Sequence, residues 1–176
     1  MPGRAGAVVS RRLLGDIVVA LHVISTYEAL RAVLGRDFGP GRWSLIGTEQ
    51  VRLFERVRRA GSFGTGEEDG SDPGRAPDAD GLLLLSLLGG LRARIDSLQF
   101  RFPSRMTVFY GFDNIRFSDP VLVPARVRLD LTVVDAALRG PEIIRVAYRH
   151  RLEIPGGRIV LSADAINQIY LNEPSS

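Results

Sequence analysis

The spacing of hydrophobic residues changes once along this chain, near residue 100. Before that point, residues 80–100 read DGLLLLSLLGGLRARIDSLQF and are apolar on every side as far as Leu91, except at Ser86. A helix that is hydrophobic all round is buried, and this segment has the length of a core helix, not of a membrane span. Asp80, or Asp78 before it, can cap the first turn. The pattern predicts a buried central helix over about residues 81–96.

After this helix, the apolar residues recur with the period of two that is typical of strands. Four segments rich in β-branched and aromatic residues are separated by turn sequences: 106–117, 126–135, 143–154 and 158–170. In the second segment Val127, Leu129 and Leu131 alternate with polar residues, which predicts one buried face. An antiparallel sheet that wraps around the long central helix is the simplest arrangement that covers this helix. The predicted fold class is therefore α+β.

Shorter elements precede the helix. Residues 1–25 form an apolar N-terminal extension, and Ser25 or Thr26 caps a short helix that runs through Leu34. A short strand over Trp43–Ile46 then leads to a helix that Thr48 caps. This helix carries an apolar face made of Val51, Leu53, Phe54 and Val57.

A single domain over residues 26–170 accounts for these elements. It contains a flexible loop over residues 61–79, which is rich in Gly, Asp, Ser and Pro, and it ends in a tail over residues 171–176. A length of 176 residues with 45% hydrophobic content suits one domain with a real core.

Composition excludes several kinds of chemistry. Cys is absent, which rules out disulfides and thiolate metal sites and fits a cytoplasmic location. All 23 basic residues are Arg, so the chain has no Lys for Schiff-base chemistry or for a P-loop. The net charge is only +3, and the Arg residues are interspersed with acids, which argues against nucleic-acid binding. Two isolated His residues give no metal-ligand spacing. We therefore expect no metal, no cofactor, no nucleic acid and no membrane.

Three stretches carry a family resemblance: ISTYEALRAVLGRDFGPGRWSLIGTEQVRLF, DGLLLLSLLGGL and, above all, FYGFDNIRFSDPVLVPARVRLDLTVVD. Over roughly residues 24–170 the chain resembles the MaoC-like dehydratase family with the hot-dog fold, in the branch that includes nodulation protein N. The resemblance implies hydration of enoyl thioesters or dehydration of 3-hydroxyacyl thioesters. The acyl group would be carried by coenzyme A or by an acyl carrier protein. It also implies a dimer.

The chain departs from this family at the hydratase motif. The family places an Asp and a His, in a pattern like G-D-x-N-P-I-H, shortly after the helix that precedes the loop. This chain reads RRAGSFGTGEED there, and no His lies between His22 and His150. Where relatives read Ala-His-Gly at the start of the central helix, this chain has Ala79-Asp80-Gly81. The resemblance therefore implies that the pocket is kept while the usual acid and base are missing.

There are three candidates for the replacement acid or base: Asp80, His150 and the acidic residues of the loop. Asp80 beside a buried helix can act as a general acid or base, and the alternative is a helix N-cap. His150 on an apolar strand face can act as a base, and the alternative is a hydrogen-bonded core histidine. The acidic loop residues Glu67, Glu68 and Asp69 reach the pocket or form a solvated loop. His22 is expected to be structural.

Substrate contacts are expected from other positions. The backbone N–H of Gly81, at the helix N-terminus, can polarise a thioester or ketone carbonyl. Tyr110, Asp113 and Asn114 line the substrate cleft or only pack in their strand. Trp43 is also expected to contact the substrate.

These observations predict a MaoC-like enzyme that lacks the usual residue pair and acts on an acyl thioester or a polyketide-like intermediate. The reaction is a dehydration, or a cyclisation or isomerisation in which folding of the substrate supplies the rate. One alternative is a non-catalytic hot-dog subunit that pairs with an active hydratase, and another is a module that binds acyl ligands. The expected assembly is a homodimer or a heteromer with a related hot-dog subunit.

Overall fold

The computed structural model describes residues 8–14, 17–60 and 78–172, with side chains from residue 20 onward. Three helices lie in these ranges: α1 Tyr27–Arg31, α2 Thr48–Ala60 and α3 Gly81–Arg92. The strands are β1 Val8–Leu14, β2 Ile17–Ile24, β3 Asp37–Phe38, β4 Ser44–Ile46, β5 Asp78–Ala79, β6 Leu98–Phe100, β7 Ser104–Phe117, β8 Val121–Leu122, β9 Ala125–Leu138, β10 Ile143–Ile154 and β11 Arg158–Leu171. No helix in these ranges is long and apolar enough to cross a membrane.

The main sheet consists of the four long strands predicted from the period of two. Its order is β9-β10-β11-β7, all neighbours are antiparallel, and β3 and β4 both pair with β9 at the far edge. Leu152 on β10 lies opposite Leu129 on one side and Leu161 on the other, and all three are fully buried. Such aligned apolar residues fix the register of the strands. The observed antiparallel sheet confirms the predicted α+β fold, in which a sheet covers a central helix.

The central helix α3 forms the layer that packs against the main sheet, and it turns one side toward the core. Its buried residues are Leu83, Leu84, Leu88 and Leu91. The helix ends at Arg92, earlier than the predicted residue 96, because the backbone N–H groups of Arg94 and Ile95 bond to carbonyls three residues back. Burial is also less complete than predicted: Leu82, Ser86 and Gly89 are exposed, so one side of the helix faces solvent.

The N-terminal extension forms a hairpin. Strands β1 and β2 pair along their whole length, and β2 continues into a parallel pairing with β6. Ile24 at the end of β2 is fully buried in the core. The domain boundaries stay a prediction. Residues 61–77 of the predicted loop lie outside the described residues, while Asp78 and Ala79 belong to a short strand.

The two N-terminal helices differ in detail from the sequence prediction. Thr26 is the N-cap of α1, since its hydroxyl accepts a hydrogen bond from the Ala29 N–H at 3.1 Å. Thr48, by contrast, is the first residue of α2, and the Gln50 side chain accepts from the Gly47 N–H at 2.9 Å. The predicted apolar face of α2 is only partly buried: Val51 lies in the core, whereas Val57 is 73% exposed.

Candidate functional site

A cleft of about 630 Å³ lies at the N-terminal end of α3. The first turn of α3, the end of α2 and the turn that follows β7 form its walls. The short pairing of β5 with β8 closes one side, because it joins the residues before α3 to those after β7. The start of the most apolar helix therefore lies at the surface, while its buried leucines pack in the core.

Asp80 occupies the N-cap position at the mouth of this cleft. Its backbone is extended, with φ −52° and ψ 141°, and its carboxylate oxygen Oδ1 accepts a hydrogen bond from the Leu82 N–H at 2.6 Å. A carboxylate at this position satisfies one of the unpaired N–H groups of the first turn and interacts favourably with the helix dipole. The capping role named as the alternative is therefore present, and Oδ2 is the oxygen that remains for a ligand.

Gly81 forms the floor of the cleft beneath the Phe117 ring. A Cβ atom at this position would lie 2.8 Å from two ring carbons of Phe117, which is too close for any side chain. The ring thus packs directly against the start of the helix. Leu82 and Leu84 extend the apolar wall. A ligand in this cleft would meet backbone N–H groups at one point and hydrocarbon elsewhere, which suits a carbonyl group on an acyl chain.

We expect Gly81→Ala to destabilise the protein by about 1–3 kcal/mol, because the added methyl forces the Phe117 ring or the helix to move. The measurement is urea unfolding followed by circular dichroism. A Phe117→Ala substitution in the same chain should recover a large part of the loss, since it removes the clashing atoms. Equal losses in the single and double variants would contradict this packing.

The cleft also brings together carboxylates that the sequence reasoning did not select as site residues. Glu55 on α2, Asp78 and Asp119 all line it together with Asp80. Asp119 is paired with Arg158 at 3.8 Å, and both side chains are largely exposed. The Ser-Asp-Pro turn signalled that Asp119 follows a strand. Nothing in the sequence showed that this turn lies beside the start of α3, because that proximity depends on strand β7 running the full length of the sheet.

Comparison with known proteins gives one curated relative and several solved structures. Nodulation protein N of Rhizobium meliloti (strain 1021) is 29% identical over 142 residues, which cover 76% of this chain and 83% of that protein. No family model matches the chain.

Three solved structures share the fold. The monoamine oxidase regulatory protein from Archaeoglobus fulgius has a TM-score of 0.64 and 21% identity, and the match covers 86% of this chain and 97% of that one. The MaoC-like dehydratase from Rhodospirillum rubrum has a TM-score of 0.55 and 13% identity, over 80% and 94% of the two chains. The HadBC 3R-hydroxyacyl-ACP dehydratase complex from Mycobacterium tuberculosis has a TM-score of 0.53 and 17% identity, over 77% and 96%.

The resemblance to the MaoC-like dehydratases and their hot-dog fold is confirmed. The departure from their hydratase motif remains an interpretation of the sequence. Most of the segment in which that motif was sought, including Glu67, Glu68 and Asp69, lies outside the described residues. In the described part of the chain, Asp80 and Gly81 are the predicted site residues that line the cleft.

Three further predicted residues lie on β7, the strand whose last residue, Phe117, borders the cleft. Tyr110 is 67% exposed, and Asp113 is also exposed. Asn114 has a positive φ of 53°, and its side-chain amide donates to Asp164 at 2.8 Å. Asp164 also accepts two hydrogen bonds from Arg149, at 2.9 and 3.0 Å. Asn114 is therefore bound into a network across three strands, and its contact with a substrate stays a prediction.

Trp43 lies at the opposite edge of the sheet. It precedes β4, and its ring packs under the guanidinium groups of Arg126 and Arg128, at 5.4 and 4.6 Å. Strands β9, β10 and β11 separate this edge from β7, so the structure does not bring Trp43 together with Tyr110. A substrate contact by Trp43 is consequently a separate prediction from one at the α3 cleft.

His150 lies in the core on β10 and is only 3% exposed. Neither ring nitrogen has a hydrogen-bond partner of good geometry among the described residues, which differs from the expected hydrogen-bonded histidine. Burial, reinforced by the nearby Arg92 charge, lowers the pKa of His150 to about 4. The ring is therefore neutral at pH 7, and it does not line the α3 cleft. His22 is also buried, and its Nδ1 lies 3.3 Å from the Ser97 carbonyl oxygen.

Proposed function

We propose that this chain is an enzyme of the MaoC-like dehydratase type that lacks the usual Asp/His pair and acts on an acyl thioester or a polyketide-like intermediate. The observation that carries the proposal is the cleft at the start of α3. It combines a carboxylate, helix N–H groups and an apolar wall within one turn of helix. Such a site binds a carbonyl oxygen at the positive end of the helix dipole, where negative charge that develops on that oxygen is stabilised.

The chemistry follows from this placement. In a 3-hydroxyacyl thioester, polarisation of the carbonyl makes the proton on C2 acidic, and the Asp80 carboxylate is the proposed base that removes it. The C3–oxygen bond then breaks, and the hydroxyl leaves as water with the proton returned by the same carboxyl group. The products are the enoyl thioester and water. One carboxyl group can serve as base and acid in turn because the two groups leave from neighbouring carbons.

Cyclisation or isomerisation is the related reaction that the same cleft supports. Its apolar walls, Leu82, Leu84 and Phe117, would fold the substrate, and correct orientation alone contributes up to roughly 7–11 kcal/mol to lowering a barrier. The carrier is proposed to be coenzyme A or an acyl carrier protein.

A non-catalytic subunit is the second candidate function, and the exposed surface of β7 favours it. This strand forms an edge of the main sheet and leaves Met106, Phe109, Tyr110 and Ile115 at least 41% exposed. A long apolar edge strand is a surface that proteins normally cover. The proposed partner is a second copy of this chain or a related hot-dog subunit. If this chain is non-catalytic, the related subunit would supply the catalytic residues.

We expect Asp80→Asn to lower turnover of 3-hydroxyacyl and enoyl thioesters by about 10²–10⁴, the usual contribution of a general acid or base. Asn remains a good N-cap, so the fold should be unaffected. The measurement is an absorbance and mass-spectrometric assay with short and medium acyl chains. Asp135→Asn, a half-exposed carboxylate paired with Arg145 on the sheet, is the matched control and should keep full activity. His150→Gln tests the other candidate base in the same assay.

One outcome would contradict the role of Asp80, and another would contradict the dehydratase proposal itself. Full activity in Asp80→Asn would exclude Asp80 as the acid or base. No turnover of any thioester by the purified chain would reject a dehydratase. If turnover appeared only when an active hydratase relative was added, the non-catalytic subunit would be the correct function.

A further inference from the structure

A second cleft lies at the C-terminal end of α3, between that end and the small sheet of β2 and β6. Its volume is about 480 Å³, within the range of about 300–1,000 Å³ that is usual for small-molecule sites. It shares no lining residue with the cleft at the start of the helix. The 12 residues of α3 span about 18 Å from one end of the helix to the other, at a rise of about 1.5 Å per residue, and the two clefts lie at these opposite ends.

Arg92 is the charged group that points to a ligand in this second cleft. Its guanidinium carbon lies 4.8 Å from the centre of the Phe100 ring and 4.4 Å from that of Tyr148. The two rings are themselves in edge-to-face contact at 5.2 Å. Stacking on aromatic rings orients the planar guanidinium and leaves N–H groups at its edge for an acceptor. The cation is therefore fixed in place by groups that do not neutralise it.

None of the ion pairs among the described residues includes Arg92. The neighbouring carboxylate, Asp96, is paired with Arg42 at 3.2 Å. The positive charge of Arg92 consequently acts on the protein around it: after burial, it is the next largest cause of the lowered pKa of His150. An oriented and half-buried cation of this kind favours an anion in the cleft that it borders.

The remaining walls define what kind of anion fits. Leu21, Leu98 and Leu131 line the cleft with hydrocarbon. Asp96 and the carbonyl groups at the end of α3 add negative charge, which opposes a doubly charged phosphate more strongly than a singly charged carboxylate. We propose that the second cleft binds a carboxylate at the end of a short apolar chain, with Arg92 as the carboxylate-binding residue. This site is independent of the reaction proposed for the other end of the helix.

Two adjacent glycines provide a matched pair of variants. A Cβ added at Gly89 or at Gly90 meets no atom within 4 Å, so the backbone at either position leaves room for the first atom of a side chain. Gly89 lines the second cleft, whereas Gly90 is not among its lining residues. Leu is a better helix former than Gly, so both substitutions should preserve the fold. Gly89→Leu fills the cleft, and Gly90→Leu adds the same side chain beside it.

The test is isothermal titration calorimetry of the full chain with octanoate, and with 1-octanol as the uncharged probe. We expect octanoate to bind, 1-octanol to bind more weakly, and Arg92→Gln to weaken octanoate binding by about tenfold or more, since hydrogen bonds to charged groups are strong. Arg94→Gln, an exposed Arg just beyond the same helix end, should leave the affinity unchanged. Gly89→Leu should abolish binding, and Gly90→Leu should not.

Several results would overturn the proposal. These are no binding of octanoate, unchanged affinity in Arg92→Gln, or tighter binding of octyl phosphate than of octanoate. Octanoate binding that survives in Gly89→Leu but is lost in Gly81→Ala would assign the ligand to the other cleft. If Arg92→Gln does not fold, the comparison of Gly89→Leu with Gly90→Leu decides the question.

Discussion

Leu84→Asp should abolish soluble, folded protein, and Leu88→Asp should do the same. The two side chains are 2% and 1% exposed in the core between α3 and the sheet. An unpaired charge at such a position costs several kcal/mol, against a total free energy of unfolding of about 5–15 kcal/mol. The measurement is soluble expression followed by circular dichroism and thermal unfolding of whatever protein is recovered.

Leu82→Asp is the matched control for this prediction. Leu82 lies on the same helix but is 56% exposed, and a carboxylate in the first turn interacts favourably with the helix dipole. This variant should be soluble and as stable as the unmodified chain to within about 1 kcal/mol. Soluble, folded Leu84→Asp protein would show that α3 is not the buried centre of the domain.

Acidification from pH 6.5 to pH 4 should destabilise the protein by about 3 kcal/mol through His150 alone. The pKa of this residue is lowered from 6.5 to about 4 in the folded state, chiefly by burial and then by the Arg92 charge. The unfolded chain therefore binds a proton that the folded chain excludes, at about 1.4 kcal/mol per pKa unit. This destabilisation is absent well above pH 6.5 and grows as the pH falls toward 4. Urea unfolding across this range measures it.

His150→Leu should remove this part of the pH dependence. It also removes two ring nitrogens that have no hydrogen-bond partner among the described residues, so stability at pH 7 should fall little if at all. Asp164 does not account for this loss of stability between pH 6.5 and pH 4. Hydrogen bonds from Arg149 lower the pKa of Asp164, so the stability that its carboxylate contributes is lost only below the ordinary pKa of 3.8. If the free energy of unfolding still falls as steeply between pH 6.5 and pH 4 in His150→Leu as in the unmodified chain, His150 is not the responsible group.

Much of the fold follows from the spacing of apolar residues. The predicted strand over residues 143–154 coincides with β10, and the other three long strands were predicted to within three residues at each end. These segments are long, and their alternating faces allow only one register to bury the apolar side. The end of α3 was predicted less well, because a tightening of the last turn leaves no mark in the composition.

The candidate site was partly predictable. Asp80 and Gly81 stand out because a capping residue followed by Gly precedes an apolar run. Their neighbours Glu55 and Asp119 could not be recognised from the sequence, because each lies close to Asp80 only through the packing of α2 and the length of β7. Trp43 and Tyr110 were each predicted to contact the substrate, and nothing in the sequence showed that the strand order places them at opposite edges of the sheet.

The sequence by itself therefore determined the elements: a buried helix with its N-cap, and strands with one apolar face. These depend on the local properties of neighbouring residues, such as periodicity, capping and turn chemistry. Only the tertiary structure decided that β7 is an edge strand with exposed aromatic rings, that Arg92 stacks on Phe100 and Tyr148, and that the buried His150 ring finds no hydrogen-bond partner among the described residues. Each of these depends on contacts between residues far apart in the chain, which the order of strands in the sheet sets and which no local pattern records.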